Sequence, residues 1–259
     1  MIRIFRDNFP PVDTYLIGNN RTISKWRVFE NRVITAFRNT PNLFVDGLYN
    51  FRTHPSYNIW RDEIIKYQGR KCCYCEKPIA NGSLDHYRPK KGWQQNQGDA
   101  LNRPGYYWLA YRWSNLLLSC GDCNDQSQKG NLFPIDNIRA INQSSNLNDE
   151  QAILINPYYE NPNTYISFYK SKPISLHPRG HQTIEILKLR TRPDISETRN
   201  DSYNNYKIAL KIASLLAPVG LISQNDIEEA KERIRIKVKN KEPFSGMILE
   251  NLRNNTFDL

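Results

Sequence analysis

Along the N-terminal third, apolar residues recur at helical spacing. Trp26, Phe29, Val33, Ile34 and Phe37 fall on one face behind Ser24, which predicts an amphipathic helix with Ser24 as its cap. A second helix is expected from about Ser56 to Tyr67, with Ile59, Trp60, Ile64 and Tyr67 inward and Gly69 as its stop. Ahead of both, Met1 to Arg6 alternates like a short strand and runs into the turn-prone Pro10-Pro11. The polar stretch 136–150 reads as an exposed loop. A β pair is expected between Ala152–Ile155 and Tyr165–Tyr169 across the Asn156-Pro157 turn signal. From Gln182 onward the pattern turns helical: Ile184, Leu187 and Leu189, then Tyr206–Leu216, Asn225–Val238 and Ser245–Leu252. There is no internal repeat, and the pattern predicts an α+β protein in three regions: a helical support over 1–69, a core over 70–135, and a β pair with helices over 136–259.

Charge narrows the class. Thirty-six Lys+Arg oppose 26 Asp+Glu, for a net charge of +10 with 12% aromatic residues, which points to a polyanionic partner such as nucleic acid. Mean hydropathy is −0.68, and no apolar run approaches the ~18 residues of a spanning helix. No membrane role is expected. Charge interrupts Met1 to Asp7 too early for a secretory apolar region, so the expected compartment is the cytoplasm.

Five cysteines include two Cys-x-x-Cys pairs, Cys72/Cys75 and Cys120/Cys123. In a reducing compartment this arrangement favours a structural Zn²⁺ held by four thiolates over disulfides. Cys73, separated from Cys75 only by Tyr74, reads as a small buried apolar residue.

Within this cysteine bracket lie Leu84-Asp85-His86-Tyr87-Arg88-Pro89-Lys90 and Asn115-Leu116, and Asn124 follows Cys123 directly. With Leu116–Ser119 as a strand and a helix at Asn124, these residues can meet at one corner. An imidazole can take a proton from water at neutral pH, which makes His86 the candidate general base. Asp85 and Asn124 are the candidate oxygen ligands of a Mg²⁺ or Mn²⁺ ion, and Asn115 the candidate group orienting the imidazole. Blander readings exist for each: His86 as a satisfied core histidine, Asn115 as a strand-end turn residue, Asn124 as a helix cap, and Asp85 as a partner of Arg88.

Arg88, Lys90, Lys91, Arg103 and Arg112 surround the candidate site and are candidate phosphate contacts. The aromatic run Tyr106 to Trp113 is read as packing rather than a base-stacking platform. His54, His177 and His181 lack ligand-spaced partners, which leaves surface or capping roles. The basic stretch Lys231–Lys241 also contains glutamates and reads as a solvated helix face.

The string Cys72-x-x-Cys75, Asp85-His86-x-x-Pro89-Lys90, Asn115-Leu116, Cys120-x-x-Cys123-Asn124 and Lys129-Gly130 resembles the HNH endonucleases. That resemblance implies a zinc-stapled ββα-metal core with mainly helical flanks, His86 as base, Asn115 as the central asparagine, and Asp85 with Asn124 on the catalytic metal. The third signature residue is often histidine; here it is Asn124. A narrower likeness, carried by Tyr106–Leu116, Phe133-Pro134, Leu154-Ile155-Asn156-Pro157 and the segment from Arg179 to Glu185, is to the PtuB-type nuclease subunit of Septu and related retron antiphage systems. It implies cleavage of DNA or RNA beside an ATPase partner. The competing expectation is a non-catalytic zinc module that binds nucleic acid or docks a partner.

Overall fold

The computed structural model describes residues 1–17, 21–239 and 241–257. Two compact units interleave along the chain: one comprises Met1–Phe5, Tyr67–Asn81 and Ile155–Leu259, the other Arg6–Lys66 and Gly82–Leu154.

The second of these opens with an antiparallel pair absent from the sequence reading, β1 (Thr14–Ile17) with β2 (Arg21–Ser24). Helix α1 (Lys25–Asn39) then starts where expected, although the Ser24 side chain makes no capping bond. Its aromatic stripe is a packing surface: Phe29 meets Tyr111 edge-on at 5.3 Å, and Phe37 stacks on Tyr107 at 4.1 Å. A short α2 (Asn42–Val45) inserts Phe44 beside them. Helix α3 (Tyr57–Gln68) buries Trp60 and Ile64 completely, whereas Ile59, expected inward, is 47% exposed. Trp60 and Ile64 stand one turn apart, and Ile59 lies about 100° round the helix from Trp60.

Strand β3 (Ser83–His86) pairs antiparallel with β4 (Leu116–Ser119), so that Asp85 faces Leu117 and His86 faces Leu116. The connection between them buries Tyr106, Tyr107, Trp108, Tyr111 and Trp113 and includes two 3-10 turns, Tyr107–Leu109 and Trp113–Asn115. This run is core. Immediately after β4 comes α4 (Gly121–Asn124).

His54 sits in this unit, with its Nδ1 accepting the Ser56 N–H at 3.1 Å and its ring 4.1 Å from Trp60. Burial holds its pKa down at about 4, so folded His54 stays neutral where an unfolded histidine, near 6.5, takes a proton. Between those values the unfolded state binds more protons, and stability falls as pH falls. Lowering pH from 7 to 5 should therefore cost on the order of 2 kcal/mol through His54. In His54→Gln, urea midpoints at the two pH values should converge relative to the parent; an unchanged gap would remove His54 from the account.

In the other unit, β5 (Ile166–Tyr169) pairs antiparallel with β6 (Lys172–Ser175), not with Ala152–Ile155. A tight connection through Lys170, at φ 55°, lets the local hairpin form. The displaced segment is still buried, with Ile153, Leu154 and Ile155 at most 3% exposed, but of the expected strand Ala152 forms only an isolated bridge to Ile135. Met1 to Arg6 likewise forms no strand, although Met1, Ile2 and Ile4 are buried and the Ile4 N–H donates to Pro157 O at 2.8 Å. Helices α5 (Pro178–Ile186), α6 (Pro193–Leu216), α7 (Gln224–Val238) and α8 (Ser245–Asn254) complete the unit. His177 caps α5 by accepting the Arg179 N–H at 3.2 Å, and Ser223 with Asp226 forms a capping box on α7. Two of the basic residues of α7 lie in exposed pairs, Arg233 with Glu229 at 2.6 Å and Arg235 with Glu232 at 3.2 Å, a solvated face. Among the described residues no helix is long and apolar enough to cross a membrane.

Candidate active site and cysteine cluster

Each Cys-x-x-Cys pair is shaped by its own backbone. The first occupies a narrow turn in which the Ile79 N–H donates to Arg70 O at 3.0 Å and the Cys72 N–H to Lys77 O at 2.9 Å. Glu76 closes that turn at φ 61°, its carboxylate accepting from Lys71 Nζ at 3.1 Å, Ser245 Oγ at 3.0 Å and the Gly246 N–H at 3.1 Å. The second pair opens α4: Cys120 precedes the helix, and its Sγ accepts the Cys123 N–H at 3.4 Å.

The sulfurs of Cys72, Cys75, Cys120 and Cys123 all lie within 4.8 Å of one another, all four residues are buried, and none is in a disulfide. Four thiolates at ~2.3 Å from one zinc ion stand about 3.8 Å apart, so the cluster fits a tetrahedral Zn²⁺. Cys73 is 1% exposed and lies outside the set, as the sequence reading expects.

His86 ends β3. Its Nε2 lies 2.8 Å from the carbonyl oxygen of Ala110. A carbonyl only accepts, so Nε2 carries the proton and Nδ1 the lone pair. Nδ1 has no hydrogen-bond partner among the described residues. Burial, then the charge of Lys90, hold the imidazole pKa well below the usual histidine range.

Asp85 is 3% exposed, and its Oδ1 lies 3.1 Å from Lys129 Nζ. The fully buried Lys129 ammonium also donates to His86 O at 2.7 Å, tying the polypeptide after α4 to the end of β3. Arg88, the other partner considered for Asp85, instead reaches Glu150 at 2.7 Å and Leu147 O at 3.2 Å.

Asn115, expected to orient the imidazole, makes its side-chain hydrogen bonds to backbone and none to the His86 ring. Its Oδ1 accepts the Arg88 N–H at 2.8 Å, and its Nδ2 donates to Arg88 O at 3.0 Å and Leu109 O at 3.3 Å. One amide thus fixes both the loop leaving His86 and the turn that presents Ala110 O. Asn124, half-buried at the end of α4, has a side chain with no hydrogen-bond partner among the described residues. Two contacts at this corner were not read from the sequence: the Ala110 carbonyl on His86, which any residue type would supply, and the ion pair of Lys129 with Asp85, Lys129 having entered the motif string without a role.

Among known proteins, the chain is similar to the Septu protein PtuB of Bacillus mycoides (strain KBAB4), at 34% identity over 159 residues, 55% of this chain and 52% of the relative. The chain thus spans about half the length of the curated relative it matches. No family model matches the chain. No solved structure matches it either. The likeness to PtuB agrees with the resemblance read from the sequence.

Proposed function

We propose that the chain is a metal-dependent endonuclease of HNH type that hydrolyses phosphodiester bonds of DNA or RNA, serving as the effector of a Septu-type antiphage system beside an ATPase partner. The observation that carries this reading is the His86 imidazole, whose Nε2–H is fixed on Ala110 O and whose Nδ1 lone pair is free to accept a proton. A neutral ring in one tautomer, anchored from behind, is suited to deprotonate an attacking water. The order β3, β4, α4, with α4 a single turn, supports a reading in which His86, Asn115 and Asn124 take the three signature roles of such a ββα core. Asp85 and Asn124 are the residues that would hold Mg²⁺ or Mn²⁺: both offer hard oxygens, and the Asn124 amide has no hydrogen-bond partner among the described residues. A divalent ion held there would supply charge neutralisation at the phosphoryl oxygens. Lys129 holds Asp85 and the His86 backbone in place, while Asn115 keeps the ring aimed. The likeness to a Septu protein supports the defence role, and the net charge of +10 suits a polyanionic substrate.

The test incubates the purified chain, alone and with the Septu-type ATPase, with supercoiled plasmid and structured RNA. Cleavage is expected with Mg²⁺ or Mn²⁺ and not in their absence, with zinc retained throughout. No cleavage under any condition would overturn the reading in favour of a zinc-stabilised module that binds nucleic acid or docks a partner.

A further inference from the structure

The five basic residues around the candidate site are not equivalent. Arg88 is paired with Glu150 and Arg112 with Glu30. Lys91 and Arg103 are exposed, like most surface cations. Lys90 differs from all four. It is half-buried, its Nζ lies 5.5 Å from the centre of the Phe51 ring, and it makes no hydrogen bond or ion pair among the described residues.

A partly desolvated ammonium without a counter-ion is costly, and a bound anion offsets that cost. Burial and the neighbouring Lys91 charge push its pKa down to about 8. Its charge acts on the imidazole of His86 and on that of His54. An anion held at Lys90 would therefore lie in the electrostatic reach of the proposed base.

The loop that carries Lys90 is pinned on both sides. Asn115 grips Arg88, and the Tyr106 N–H donates to Pro89 O at 2.9 Å. Gly105 packs so closely beneath that a Cβ there would come within 2.4 Å of Gly92 N, 2.6 Å of Pro89 O and 2.8 Å of the Lys90 carbonyl carbon. The ammonium is thus presented from a fixed backbone, as a binding residue requires.

We infer that Lys90 is the phosphate-binding residue of this site, its ammonium taking a backbone phosphate oxygen of the nucleic acid beside the His86 imidazole. The identity of the anion rests on the nuclease reading above.

The test measures binding separately from cleavage. Fluorescein-labelled 20-mer duplexes, one of DNA and one of RNA, are titrated with the full chain by anisotropy over a range of salt concentrations, without added Mg²⁺ or Mn²⁺. In Lys90→Met, affinity should fall several-fold and the slope of log affinity against log salt should shrink by about one phosphate contact, ~0.9 for DNA. The arm that shows the change names the polymer. Lys90→Arg should restore the slope, and the melting temperature of Lys90→Met should equal or exceed that of the parent, since an unpaired cation has been removed from a half-buried position.

Unchanged affinity and slope in Lys90→Met on both duplexes would overturn the inference, as would failure of the parent to bind either one. A parent that cleaves while Lys90→Met binds normally sinks the phosphate contact and leaves the nuclease reading intact. A slope that falls with Lys90→Met in a protein that cleaves nothing does the reverse.

Discussion

Cys123→Ser should strip the protein of its metal and leave it without a cooperative fold. Cys123 is fully buried, its N–H is bonded to Cys120 Sγ, and its sulfur is one of four within 4.8 Å of one another. Zinc bound by such a set contributes an apparent ~10 to 16 kcal/mol, against about 5 to 15 kcal/mol for the whole stability of an ordinary domain. A hydroxyl binds zinc far less well than a thiolate, and the remaining three sulfurs would face one another without the cation that neutralises them. Atomic emission should find one zinc per parent chain and little in the variant, and the parent's cooperative melting transition should disappear. Cys73→Ala is the control. Buried but outside the cluster, it should keep the zinc and cost roughly 1 kcal/mol of packing. A Cys123→Ser protein that melts like the parent would mean that the four sulfurs hold no structural ion.

The cysteines were legible because metal chemistry writes itself into spacing: two residues between ligands is what a tight turn presents to one ion, and it survives without knowledge of the fold. The helical stripes of α1 and α3 were legible for the same kind of reason, although Ile59, expected inward beside Trp60, falls on the side of α3 that the core does not cover. Strand pairing was harder. The apolar run Ala152–Ile155 has every local property of a strand, yet β5 takes the nearer Lys172–Ser175, whose lysine and proline disguise it. Burial without a ladder explains Met1 to Arg6 in the same way: alternating apolar side chains announce that a segment is covered, not that a neighbouring strand awaits it. Of the candidate site, what the sequence offered was the order of His86, Asn115 and Asn124, which is distinctive enough to propose their roles. The actual partners of Asn115 were not legible, since its amide bonds to the backbone of Arg88 and Leu109 rather than to the ring.

Replacing His86 by alanine should reduce cleavage by about 10² to 10⁴ while leaving fold and zinc intact, the range expected when a positioned general base is removed. The structural cost is small. The change takes away one donor to Ala110 O, a loss of roughly 1 kcal/mol, and leaves the Lys129 bond to the residue-86 carbonyl in place, because that contact is to backbone. Asp85, Asn124 and Lys90 keep their own surroundings, so nucleic-acid affinity without added Mg²⁺ or Mn²⁺ should match that of the parent. The informative outcome is therefore a split: binding, melting temperature and zinc content unchanged, cleavage lost. Single-turnover rates on saturating plasmid or RNA would read the chemical step directly. Retention of parental cleavage by His86→Ala would mean that another group takes the proton. Simultaneous loss of melting cooperativity and zinc would instead make His86 a structural histidine, whose bond to Ala110 holds the β3 end against the turn and whose free Nδ1 has no chemical task.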